Sequence, residues 1–355
     1  MSLFSISCKL PDMNLDLLKK IVEAPGAPGH EKPVRDVVID AVKDYVDEYH
    51  VDRMGNLIVR KKGKGPRVMA AAHLDEISLI TTNVDSNGFI RFSTLGGFDP
   101  ETLITQRVLV HGKETLPGVI GNKPIHIQSD TEKKSKSKLS NLFIDVGLKP
   151  EKVKELIPDG TPVTRDKDLI VMGDCISTKS LDNRVSVYIL VEALKLAESS
   201  NSDFYGVFTV QEEVGIRGAR VAAHAIQPEI GIALDVTLAN DLPGVSDHEK
   251  CTTLGKGIGI KVMDKSIICT PSLVTYLEQL AAINNIPYQR EVLTAGGTDT
   301  SAMQYLMGIG SHVTSISCPT RYIHSTVETC AISDIEAGIK LTKATIEQIG
   351  SYTFE

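Results

Sequence analysis

The sequence predicts an α/β fold, a mixed sheet sandwiched by helices, interrupted by a small inserted all-β domain. Three observations carry that prediction. Strand-like and helix-like runs alternate at both ends of the chain, the pattern of a sheet covered on both faces. Between residues 79 and 167 the texture changes to short β-rich runs broken by Gly, Asn and Pro, the pattern of a barrel or sandwich. A length of 355 residues also exceeds the roughly 100–150 of one domain. The boundaries read from these shifts are 1–78 plus 168–355 for the α/β domain and 79–167 for the insertion.

Taken in order, Leu15, Leu17, Leu18, Ile21 and Val22 recur at helical spacing and stop before Pro25-Gly26. A second amphipathic stretch runs from Glu31 to Val46. Strands are expected at 56–61 and 68–72, separated by the turn composition Lys62-Gly63-Lys64-Gly65-Pro66. In the insertion, strands are expected at 80–84, 89–92, 107–111 and 142–146, and the basic run Lys133–Lys138 reads as a solvated loop. Strands then return at 169–172, 205–210, 230–234 and 312–316. Helices are expected at 182–197, 218–225, 271–284, 300–306 and 332–349. This half implies a largely parallel sheet, and no internal repeat is present.

Bulk properties exclude several classes. The net charge of −7 and a pI near 5.8 disfavour nucleic acid or an anionic membrane as partner. No run of 18 apolar residues exists, so no membrane span is expected. Met1 to Leu15 carries no secretion signal, and the six scattered cysteines form no CxxC pair. Reduced thiols in a cytoplasmic protein are the expectation.

Five segments hold metal-type residues near the ends of predicted strands or the starts of helices, where ligands gather in open α/β sheets. In Ala72-His73-Leu74-Asp75, residues i and i+2 share a face of an extended chain, so Asp75 is placed to accept the second imidazole N–H of His73. Asp182, in Ser180-Leu181-Asp182-Asn183-Arg184, enters a helix and would alone read as a cap. Glu212 and Glu213 follow an apolar strand, and alternation would aim them to opposite sides. Asp235 ends the run Ile230–Leu234, and His324 lies on a loop after a strand. The remaining histidines fit no ligand pattern and read as structural.

The order His, Asp, Glu-Glu, Asp, His resembles the co-catalytic metallopeptidases. The strings AHLDE, SLDNR, TVQEEVG, ALD and RYIHS, with the Gly296-Gly297-Thr298-Asp299 motif, resemble the M42 family of glutamyl aminopeptidase-like, TET-type enzymes along nearly the whole chain. Asp182 lies 109 positions after His73, and the interval contains the insertion, as in that family. Ser78 stands where the family often has Gly, and Asn183 where a second Asp is common.

The resemblance implies two divalent metal ions per subunit, zinc or cobalt, bound by imidazole and carboxylate. Asp182 would bridge them, with Glu213 and His324 completing one site and His73 and Asp235 the other. Two divalent ions set against three carboxylates leave one positive charge, which a bridging hydroxide cancels. Glu212 would be the general base, and Asp75 would orient His73. Peptide substrates and a homo-oligomer, a dodecamer, are implied as partners. The rivals are a deacylase or carboxypeptidase of the same clan, an endoglucanase, and a non-catalytic scaffold. Absent Trp and 5% aromatic content disfavour the sugar platform an endoglucanase needs.

Overall fold

The computed structural model describes residues 13–305, 308 and 310–354. The stretch 1–12 with Cys8, where no secretion signal is expected, and Leu306 at the expected end of one helix, lie outside the described residues.

Two hydrophobic cores organise the chain. The larger one surrounds an 11-stranded sheet. Its centre is parallel, with Arg67–His73 between Asp203–Thr209 and Ile230–Leu238, and with His312–Arg321 beside the latter. Val68 to His73 and Ile230 to Thr237 are buried throughout, because helices cover both faces of these strands. The flanks are antiparallel. Leu57–Lys61 and Glu48–Val51 close one side, and Glu328–Ala331, Cys175–Thr178 and Ile170–Met172 the other. The sheet is therefore mixed, and the largely parallel pattern holds only at its centre. Helix Leu181–Leu196 is buried along most of its length, since it lies between the sheet and helices Leu15–Glu23 and Ile332–Gln348.

The smaller core fills a closed six-stranded barrel running from Ser78 to Arg165. Leu79, Ile90, Val108, Val110, Ile120, Ile144 and Val163 point inward. Two of its strands, Thr115–Gly121 and Pro162–Arg165, escaped the sequence reading because Pro117, Gly118 and Pro162 break the apolar alternation that marks a strand. Lys133, Lys134, Lys136 and Lys138 are exposed, as expected of a solvated run, but Lys133 and Lys134 belong to the short helix Asp130–Lys134 rather than a loop.

The chain enters the barrel after Ile77 and leaves it at Arg165, and a buried ion cluster ties the two crossings together. The Glu76 carboxylate accepts from Lys179 Nζ at 2.7 and 2.9 Å and from Ser180 Oγ at 2.6 Å. Arg165 and Arg184 approach it at 3.5 and 3.6 Å. Burial opposes ionisation of Glu76, but the three cations outweigh it and hold its carboxyl down at about 2.

Candidate metal centre

The candidate site forms at the carboxyl ends of the central parallel strands. Register sets its floor. His73 ends its strand opposite Thr209, and Ala233 pairs with Ala71, which brings Asp235 level with His73. Asp182 follows a left-handed Ser180 (φ 61°) and has non-helical backbone, so its carboxylate leaves the helix start and faces the cleft. Its backbone N–H donates to Glu328 at 2.8 Å.

Glu212 and Glu213 lie past the end of their strand at Thr209, on a turn that begins with Gln211 at φ 55°. The turn, rather than strand alternation, separates the two side chains. Glu31 accepts from the Gln211 N–H at 3.1 Å, and the Asp75 carboxylate accepts from the N–H groups of Glu212 and Glu213 at 2.9 and 3.0 Å. This differs from the expected role of Asp75. His73 Nδ1 faces the Asp75 main-chain oxygen at 3.1 Å, while the carboxylate stands 3.6 Å away, already committed to the turn.

The six acid and imidazole groups converge. His73 Nε2 lies 3.2 Å from Asp182 Oδ1 and 3.9 Å from Asp235 Oδ1. His324 Nε2 lies 3.4 Å from Asp182 Oδ2 and 3.4 Å from Glu213 Oε2. Each trio has its ligand atoms within 4.8 Å of one another, and Asp182 gives one oxygen to each. Glu212 Oε2 is 4.0 Å from His73 Nε2. Two donors each about 2.0–2.1 Å from one tetrahedral ion stand roughly 3.3 Å apart, so these separations suit divalent cations.

Charge makes the same demand. Burial, with repulsion among neighbouring carboxylates, pushes the Asp235 carboxyl up to about 7 and those of Glu212 and Glu213 well above the ordinary range. Asp182 alone is held low, because two imidazoles hydrogen-bond it and outweigh its burial. Lys261, the cation lining this cleft, is committed to Asp264 and Glu291 at 3.1 and 3.0 Å. Glu213 Oε1 is buried without a hydrogen-bond partner. An orphaned carboxylate oxygen among crowded acids is a coordination position a cation would fill.

The cleft that holds these residues has a volume of about 510 Å³. A larger cavity of about 790 Å³, between Glu31, Asp52 and His111, contains none of them and is distinct from the chemistry. Among the described residues, no histidine other than His73 and His324 joins a ligand cluster.

Residues 55–341 match the model of the M42 glutamyl aminopeptidase family. The chain belongs to that family. This M42 chain is 36% identical over 356 residues to the lysyl aminopeptidase of Pyrococcus furiosus, covering 96% of this chain and 98% of that one. An aminopeptidase from Desulfurococcus kamchatkensis shares its fold at TM-score 0.89, with 37% identity and 94% of each chain covered. The TET1 peptidase of Pyrococcus horikoshii, described as assembling into a tetrahedron or a large octahedral shell, matches at TM-score 0.85 and 34% identity over 94% of this chain and 99% of that one. The M42 chain is therefore a peptide hydrolase of the aminopeptidase type.

Beyond the strings that carry the resemblance, the structure adds residues that sequence reading missed. Asp299, the last residue of the Gly-Gly-Thr-Asp motif, is buried beside Glu212 and accepts from Thr209 Oγ1 at 2.6 Å. The motif was the signal for it. Arg165, Glu31 and Glu328 carry no local signal, since their partners are remote in sequence.

Proposed function

We propose that this M42 enzyme removes single residues from peptide N-termini with two divalent cations, zinc or cobalt, held by five side chains. His73, Asp182 and Asp235 would hold one ion, and Asp182, Glu213 and His324 the other. The supporting observation is the placement of Asp182, whose two oxygens face imidazoles on opposite sides at 3.2 and 3.4 Å, each with one further carboxylate. Bound as a pair, such ions polarise a peptide carbonyl and lower the pKa of water toward neutrality.

The chain's own residues supply the rest. Glu212 is the proton carrier, taking a proton from the attacking water and delivering it to the leaving amine. Asp75 fixes the turn that presents Glu212 and Glu213, so one carboxylate sets the distance between the base and a ligand. Ile216, Val236, Leu238, Leu293 and Ile323 give the cleft an apolar wall for substrate.

The barrel, residues 79–167, is proposed to build a homo-oligomer, a dodecamer, that restricts access to chain ends. The assembling TET1 relative supports this. A cytoplasmic location is part of the same reading. The five described cysteines are unpaired, which suits a reducing compartment, and no described helix is long and apolar enough to cross a membrane.

The test is a panel of aminoacyl chromogenic substrates and their N-acetylated forms, assayed after chelation and after re-addition of Zn²⁺, Co²⁺ or Mn²⁺. We expect free-amine substrates alone to be cleaved, with activity lost on chelation and restored by metal. Turnover of the acetylated forms would make the enzyme a deacylase, and turnover indifferent to chelator would remove the metal from the reaction.

A further inference from the structure

We propose that Arg165, a residue of the barrel, is a positioning residue for one half of the metal centre, the trio Asp182, Glu213 and His324. The proposal rests on the metal reading above and adds to it a dependence of one ion on the seating of the barrel.

Arg165 ends the barrel strand Pro162–Arg165, yet its side chain leaves the barrel and is 3% exposed inside the α/β domain. Its guanidinium reaches three groups that lead to ligands. Nη1 donates to the main-chain oxygen of Ser325, next to His324, at 2.5 Å. Nη2 donates to Ser180 Oγ, two residues before Asp182, at 3.4 Å. Nη1 also lies 3.7 Å from Glu328 Oε1, and the other oxygen of Glu328 accepts the Asp182 N–H. His324 has φ 59° and Ser180 φ 61°, so both segments hold left-handed backbone that non-glycine residues seldom adopt unaided. A planar cation with several directed donors can restrain two such segments at once, and a lysine cannot.

A second part of the insertion, the Gly96-Gly97 turn next to Phe98, over whose ring the Arg165 guanidinium lies at 6.0 Å, meets the same trio. The Gly96-Gly97 turn comes so close that a Cβ at Gly97 would lie 3.2 Å from His324 Nδ1, and one at Gly96 3.3 Å from Glu213 Oε2. Arg165 also reaches the segment of the other trio, where Glu76 accepts from its Nη2 at 3.5 Å, but the His73 and Asp235 side chains have other partners. The hydrogen bonds and ion pairs of His73 and Asp235 run to Asp75, Asp182, Glu212, Val236 and each other, and both residues are carried by central strands. Asp182 is shared by both ions, but the Ser325 contact and the Gly96-Gly97 turn bear on His324 and Glu213 alone, so loosening the barrel side should weaken the ion of that trio more than the other.

The test is calorimetric titration of Zn²⁺ into the chelated full-length protein. Two binding events are expected for the unmodified chain, one missing in Glu213→Ala and the other in Asp235→Ala. Arg165→Met should weaken the event missing in Glu213→Ala by about tenfold or more, and the other by no more than about threefold. Arg165→Lys, which keeps the charge and loses the fork, should weaken the same event by a smaller factor. It serves as the decisive variant if Arg165→Met fails to fold. Gly97→Ala should act on that event too. Equal weakening of both events, or of neither, overturns the role of Arg165 and leaves the metal reading standing. An unmodified chain that binds no Zn²⁺ overturns both.

Discussion

At the scale of single residues, Glu212 and Glu213 show how position divides labour between identical side chains. Both ride one turn fixed by Asp75, yet Glu213 ends 3.4 Å from His324 and Glu212 ends 4.0 Å from His73. Glu212→Gln keeps size and hydrogen bonding but cannot carry the proton. We expect it to lower kcat by about 10²–10⁴-fold while metal content, read by elemental analysis, stays at the unmodified level. Undiminished turnover would take Glu212 out of the role. The ligand-type residues were legible because each sits in a short string near an element terminus, where Asp, Glu and His are poor choices for packing alone. Arg165 was not legible. Its contacts to Ser325 and Glu76 span 160 and 89 residues, and only the folded chain brings those segments together.

At the scale of elements, the crossing between barrel and sheet depends on Glu76 remaining ionised. With its carboxyl held at about 2 rather than near 4.5, the folded state binds fewer protons than the unfolded chain across that interval. The resulting stability is present in full above about pH 4.5 and is lost as pH falls through 2. It is on the order of 3 kcal/mol, and Glu76→Gln should lack it. Thermal unfolding between pH 6 and pH 2 checks this, since the variant should show a shallower acid decline than the unmodified chain. Parallel declines would exclude Glu76. Lys179 acts in another window. Burial, with two guanidinium neighbours, depresses it to about 8, so its share rises as pH climbs from there toward 10.5. Long helices with apolar periodicity, such as Leu181–Leu196 and Ile332–Gln348, were plain in the sequence. Flanking strands such as Glu48–Val51 and Tyr288–Val292 were not, because they are largely exposed and show no apolar run.

At the scale of the whole molecule, the barrel interrupts the sheet domain between His73 and Asp182. Composition signalled the insertion, since dense turns and short strands differ visibly from the helical alternation around them. It could not signal which strands run antiparallel, because that depends on pairings between remote segments such as Thr320 with Cys330 and Ile176 with Cys330. Twelve copies of a 38.5 kDa chain would scatter as about 460 kDa. We expect light scattering to report that species and a barrel-deleted chain to lose it, whereas a monomer at working concentration would refute the assembly. The central claim is narrower and can be seen directly. Anomalous diffraction from crystals soaked in Zn²⁺ or Co²⁺ should give two peaks per chain, one among His73, Asp182 and Asp235 and one among Asp182, Glu213 and His324. A cleft without a peak, or with a single ion that Asp182 does not touch, would contradict it.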